Sequence, residues 1–238
     1  MAARRSASVS ASASRKNVLM VIGGPYHPFE ACAAVAKEIL AGSGRYDLTV
    51  SDDRAVLEKP LGAYDAVMIY TCGGKFTPAQ QAGLVKFVRG GGGLVGVHSA
   101  NAVAGECREY LALLGSQFAT HPADQKFEQV HILDKDHQAT CRLADFSLVE
   151  ELYVLKDLAD DAHVLAETMY ESRPMPVMYT RTVGKGRVFY TALGHGVRQW
   201  KLSHFQRTLL HGLDWACRMQ PIRKAPIRAF GKVLHVHR

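Results

Sequence analysis

Gly90-Gly91-Gly92-Gly93-Leu94-Val95-Gly96-Val97-His98-Ser99-Ala100 is the run on which the reading of the fold turns. Four glycines lead into a short apolar stretch, Leu94 to Val97, which breaks off at His98-Ser99. A buried strand bounded by turn residues has this form. Upstream, Thr77-Pro78 supplies an N-cap and a first-turn proline for a helix that ends at the glycines. The glycines therefore serve as a helix end and a turn rather than as a phosphate cradle. Downstream, residues 105–114 show the apolar spacing of a further helix. Helix, strand and helix in this order imply a parallel, doubly wound sheet.

The pattern extends outward on both sides. Val18 to Ile22 is a continuous apolar run ending at Gly23-Gly24, and Phe29 to Leu40 follows with helical spacing. Tyr46 to Val50 and Asp65 to Tyr70 read as the next strands. Beyond residue 114 the character changes. Gln129 to Leu133, Leu152 to Leu155 and His163 to Thr168 are short strand candidates, and Val177 to Thr182 pairs with Val188 to Leu193 as a hairpin around Gly184-Lys185-Gly186. Ser203 to Cys217 closes the chain's body as an amphipathic helix. No linker or internal repeat interrupts it, so the second half is expected to extend the same sheet.

Hydrophobic residues make up 47% and charged residues 21% of the 238, which suits one globular domain and excludes bulk disorder, collagen and coiled coil. No run of 18 apolar residues occurs, so no membrane span is expected. The formal charge of +7 belongs to the ends: ten of the 29 basic residues lie in segments 1–17 and 218–238, leaving 19 against 22 acids between Val18 and Cys217. No basic face is left for nucleic acid. The expected division is a Ser/Ala-rich, disordered tail at 1–16, a domain at 17–217 and a basic extension at 218–238 that runs over the surface. The tail lacks the apolar core of a secretory signal, so a cytoplasmic protein is expected, although an Arg/Ser-rich, acid-free start is also how an organellar transit peptide reads. Cys32, Cys72, Cys107, Cys141 and Cys217 are irregularly spaced and odd in number, which reads as reduced thiols rather than disulfides or a zinc ribbon.

Ligands of open parallel sheets sit beyond the carboxyl ends of the strands. Histidine follows three of the strand candidates: His27 after the first, His98 after Leu94–Val97 and His195 after the hairpin. Each alone reads as an imidazole satisfying a backbone group in a turn. Together they are candidate catalytic residues and candidate ligands for zinc or a similar divalent ion, with His121 and Glu151 as further ligand candidates and Glu151 also a candidate substrate contact. Ser99, one residue past the tip of an exposed elbow at His98, is a candidate substrate contact, or else the cap of the next helix. Tyr153 and Trp200 are candidates to stack on a sugar ring, against the plainer reading of core aromatics. Cys72 reads as a packing thiol, and the Gly-Lys-Gly run as a turn with no phosphate-loop context; no nucleotide cofactor is expected.

Several segments resemble one family, that of trehalose-utilisation, or ThuA-like, proteins. They are GGPYHPFE at 23–30, GGGLVGVHSA at 91–100, Tyr110 with LLGSQF at 113–118, His121-Pro122, DHQAT at 136–140, Glu151-Leu152-Tyr153 and GKGRVFYTALGHGVRQW at 184–200. DHQAT departs from the family's usual DHP start. The resemblance implies a flavodoxin-like, class I glutamine amidotransferase-like α/β fold with an added antiparallel hairpin, and a role in carbohydrate metabolism. Glutamine amidotransferases of this architecture carry Cys at the elbow, where this chain has His98, and imidazole cannot form the glutamyl thioester. No amidotransferase activity is therefore expected. The reading that emerges is an enzyme acting on a keto-sugar or keto-glycoside, a hydrolase, lyase or isomerase, by histidine acid/base or metal-assisted chemistry, with a small-molecule sugar as its partner. The alternative is a non-catalytic sugar-binding or partner-binding module. A homo-oligomer is compatible with the sequence.

Overall fold

The computed structural model describes residues 14–104, 106–124 and 126–220. The expectations for segments 1–13 and 221–238 lie outside the described residues. Elements follow the order β1 (Lys16–Gly23), α1 (Phe29–Ser43), β2 (Tyr46–Ser51), β3 (Ala66–Thr71), α2 (Pro78–Arg89), β4 (Gly93–Val97), α3 (Arg108–Leu114), β5 (Gln117–Thr120), β6 (Lys126–Ile132), β7 (Phe146–Glu150), β8 (Val154–Lys156), β9 (His163–Tyr170), β10 (Arg173–Val183), β11 (Gly186–Thr191), α4 (Val197–Trp200) and α5 (Ser203–Ala216). Nine strands form one sheet in the order β2-β1-β3-β4-β11-β10-β9-β6-β7, and β5 pairs with β8 separately. The run β2, β1, β3, β4, β11 is parallel throughout. From β11 onward through β10, β9, β6 and β7 every pairing is antiparallel.

The local signals explain the parallel half. The apolar residues of β1, β3 and β4 are completely or almost completely buried, as strands covered on both faces require. Thr77 and Gln80 form a reciprocal capping box at the start of α2, with Pro78 in the first turn. Side chains alternate along β11: Tyr190 stacks on its cross-strand partner Tyr179, whose hydroxyl donates to the Leu114 carbonyl of α3. Phe189 points the other way, into α5, where a Cβ on Gly212 would fall 2.3 Å from its ring. The sheet is thus covered by α3 on one face and α5 on the other.

Several boundaries differ from expectation. Lys16 already pairs in β1, and its Nζ donates to Asp65 Oδ1 at 2.8 Å. Arg218 donates to the Gly91 and Lys185 carbonyls and the Gln220 carbonyl accepts from Arg45, so the body continues past residue 217. The third helix covers Arg108–Leu114 only. The strand expected at Leu152–Leu155 is instead β7, ending at Glu150, and the short β8. All five cysteines are free thiols. Among the described residues no helix is long and apolar enough to cross a membrane.

In α5, His211 is 3% exposed and its Nδ1 has no hydrogen-bond partner. Burial, with Arg207, Arg142 and Arg45 nearby, lowers its pKa to about 4. The folded state therefore resists a proton that the unfolded chain takes up near pH 6.5, and stability is lost as pH falls from there toward 4. The loss should reach about 3 kcal/mol for this group. Urea unfolding at neutral pH and near pH 4.5 reads it; His211→Gln should reduce the acid loss, and an unchanged loss would show that other groups carry it.

Candidate functional site

Three loops at the carboxyl edge of the parallel strands carry the site. After β1 the chain runs through Gly23 and Gly24, both at positive φ, to Tyr26 at φ 77° and then His27. After β4 it turns abruptly at His98, whose φ is 45°, into a short 3-10 segment, His98–Asn101. After β11, Gly194 at φ 112° delivers His195. A fourth element arrives from the antiparallel half, where β7 ends at Glu150 and the next residue is Glu151. Four pairings separate β7 from β11, about 19 Å in a flat sheet. Yet Glu150 Oε2 lies 2.7 Å from the Gly194 amide, so the antiparallel half curls back over the carboxyl edge.

The structure brings His27, His98 and His195 together, with ring centroids 4.9–5.3 Å apart. Glu151 sits at their centre: its Oε2 lies 3.0 Å from His195 Nδ1, 3.3 Å from His98 Nε2 and 3.9 Å from His27 Nε2. One ligand atom from each of the four residues falls within 4.8 Å of the others.

The hydrogen bonds set the tautomers. His98 Nδ1 lies 2.7 Å from the Ala192 carbonyl and His27 Nδ1 lies 3.4 Å from the Pro25 carbonyl. A carbonyl only accepts, so both Nδ1 atoms carry the proton, and neutral rings present bare Nε2 lone pairs to the carboxylate. His27 Nε2 is buried and has no hydrogen-bond partner. Lone pairs facing a carboxylate need a cation between them, either added protons or a metal ion. Backbone carbonyls fixing the far nitrogen are the usual support for a metal-ligating imidazole, and three imidazoles with one carboxylate suit zinc. The donor set therefore fits a divalent ion.

Electrostatics agree with the geometry. Burial, reinforced by His98 and His195, lowers the His27 pKa to about 4, keeping that ring neutral. The hydrogen bond that His195 Nδ1–H donates to the Glu151 carboxylate raises the His195 pKa against the effect of burial. Burial opposes ionisation of Glu151, but the contacts with His195 and His98 outweigh it and hold the carboxyl well below the usual range.

Other candidates fall elsewhere. His121 lies at the rim, its side chain 41% exposed, with Nδ1 3.7 Å from Glu151 Oε1. That nitrogen is 2.7 Å from the Pro122 carbonyl and so carries a proton, which removes it as a lone pair aimed at the cluster. Glu151, read as a substrate contact or further ligand, lies at the centre of the three imidazoles. His98 is fully buried, not exposed on an elbow, because Tyr153 covers its ring at 4.0 Å. Tyr153 is itself only 3% exposed and forms a wall with Phe118. Trp200 does not line the cleft: it is wholly buried against Tyr70 and Phe205, and its indole N–H donates to the Gly194 carbonyl. Ser99 is wholly buried and caps no helix, since α3 starts only at Arg108; its Oγ has no partner. The DHQAT segment forms a loop whose His137 packs on Trp215 and His163, apart from the cluster.

Sequence reasoning missed Glu150, a 1%-exposed carboxylate beside the cluster. Its only signal was a second glutamate next to Glu151. A cleft of about 530 Å³ opens beside His27, lined also by Gly24, Glu30 and Asp52. A second groove, of about 840 Å³, lies around Lys16, Asp65 and Gly92 at the opposite edge of the sheet and shares no residue with the cluster.

No curated protein sequence matches the chain. The fold is that of solved ThuA-like proteins: one from Parabacteroides merdae superposes with a TM-score of 0.80 at 20% identity, covering 90% of this chain and 94% of the other. One from Bacteroides uniformis gives 0.71 at 17% identity, covering 89% and 95%. A β-galactosidase from Bacillus circulans sp. alkalophilus gives 0.60 at 16% identity, covering 87% of this chain but 32% of its own. The family model for ThuA, described as trehalose utilisation, matches residues 17–216, which hold all four residues of the cluster, and the chain belongs to that family.

Proposed function

We propose that this protein is an enzyme of carbohydrate metabolism that acts on a keto-sugar or keto-glycoside at a metal-assisted, histidine-lined centre on a flavodoxin-like sheet. The observation that carries the reading is the pair of carbonyl-fixed imidazoles, His27 and His98, whose bare Nε2 atoms converge with His195 on one carboxylate. A trehalose-utilisation family supports the sugar, and a 530 Å³ cleft borders the cluster at His27. A divalent ion bound there supplies a Lewis acid for a carbonyl oxygen. The chain supplies the rest. A carbonyl acidifies the C–H next to it, and His121 at the rim, its Nδ1 held by Pro122, offers Nε2 to take or return that proton. Tyr153 and Phe118 wall the cluster on the side of His98. Enolisation, isomerisation and cleavage of the adjacent glycosidic bond all begin with that proton. Glutamine is not a substrate on this reading, because the elbow holds His98.

Zinc-loaded protein mixed with a 3-keto-disaccharide in deuterated water should exchange the proton beside the carbonyl or cleave the sugar, followed by proton NMR. His121→Ala should slow the step by about 100-fold, the lower end of what general acid–base groups contribute. Binding without exchange or cleavage would mark a sugar-binding module instead. Ammonia released from glutamine at a rate that His98→Ala abolishes would overturn the reading altogether.

A further inference from the structure

We propose that Glu150 is a positioning residue: its buried carboxylate clamps the turn after β11 to the end of β7 and so sets the His195 and Glu151 side chains relative to each other. The inference deepens the metal-centre reading and rests on it for its functional consequence, though not for the clamp itself.

Glu150 Oε2 accepts from the Gly194 amide at 2.7 Å, while Oε1 accepts from the His195 amide at 3.2 Å and the Glu151 amide at 3.0 Å. Two of those three amides belong to members of the cluster. The carbonyl side of the same turn is held as well: Trp200 Nε1 donates to Gly194 O at 2.9 Å and the Tyr70 hydroxyl to His195 O at 3.0 Å. Two residues upstream, the Ala192 carbonyl fixes the His98 tautomer. A shift of this turn therefore moves one ligand and loosens the orientation of another. Glu150 ends β7, the edge strand of the antiparallel half, and its carboxylate ties that edge to the turn after β11, a strand with which β7 does not pair. A carboxylate offers only acceptors, which is what three converging N–H groups demand.

Glu150→Gln keeps the shape but turns one acceptor into a donor, which must then face either the Gly194 amide or the His195 and Glu151 amides. Supporting groups of this kind are worth about 10- to 100-fold in metal affinity. We expect Glu150→Gln to bind Zn²⁺ that much more weakly in chelator competition and to shift the visible absorption of bound Co²⁺, with far-UV circular dichroism unchanged. Glu150→Asp, which keeps the charge but falls short of the amides, serves if the glutamine variant does not fold, and should weaken binding in the same direction. Zinc affinity within threefold of wild type, with a superimposable Co²⁺ spectrum, overturns the proposal while leaving the metal centre standing. Wild-type protein that binds neither ion sinks the metal centre. Amide exchange of Gly194 and His195 in metal-free protein then decides the clamp alone: at least about tenfold faster exchange at those amides in Glu150→Gln upholds it. Unchanged exchange overturns it.

Discussion

Replacing His98 by alanine should lower zinc affinity by more than about 100-fold, beyond what the loss of a supporting residue costs. Wild-type protein prepared without chelator should carry near-stoichiometric zinc or a similar ion, and the variant almost none. The size of the effect follows from the fixed tautomer. His98 Nδ1 is committed to the Ala192 carbonyl, so its Nε2 meets Glu151 either through an added proton or through a metal ion, and the expected loss is that of the second. The variant should also lose stability in the metal-free state, because His98 is fully buried under Tyr153 and its removal leaves the Ala192 carbonyl without that donor. That loss is about 1–3 kcal/mol. Metal analysis alongside urea unfolding separates the two effects. Equal zinc content in both proteins would sink the assignment of His98 as a ligand.

Gly24→Ala should be as damaging, although residue 24 touches no candidate ligand. A Cβ there would lie 1.9 Å from the Cys72 carbonyl oxygen and 2.9 Å from its carbon, both backbone atoms with no rotamer to yield. Gly24 also sits at φ 122°, where an L side chain is strained by about 1–3 kcal/mol before any collision is counted. The loops after β1 and β3 must then part, and the first of them carries His27. We expect a loss of at least about 2–4 kcal/mol in unfolding free energy and a large fall in zinc affinity. A melting temperature within a degree or two of wild type would show that the two loops are not packed this closely.

How much of this was legible in the sequence differs between the two halves. β1, β3 and β4 were readable because strands buried on both faces are continuous apolar runs with glycine at one end, and α2 because Thr77-Pro78 and Gln80 form a local start signal. The three histidines were readable for the same reason: each follows such a strand. β7 was not, since Phe146 to Glu150 is only partly buried and its pairing with β6 is non-local. With it went the place of Glu150. A glutamate at the end of a short strand looks like surface, and only the curl of the antiparallel half puts it among backbone amides. Trp200 and Ser99 misled for the opposite reason: both follow a site histidine in sequence, yet the chain turns each into the core.

The curl of the sheet has a further consequence for how the protein comes into being. His27, His98, Glu151 and His195 come from four distant stretches of chain, and Glu151 joins the others only when the last strand of the order has folded back onto the first half. Contacts between residues so far apart in sequence form late, after loop closure has been met many times over. A nascent or half-folded chain thus has no site to fill, and the proposed ion, binding only the finished arrangement, would act as a latch on it, raising stability in proportion to the logarithm of its free concentration. Scarcity of metal would then be felt first as a loosening of the antiparallel half from the parallel one.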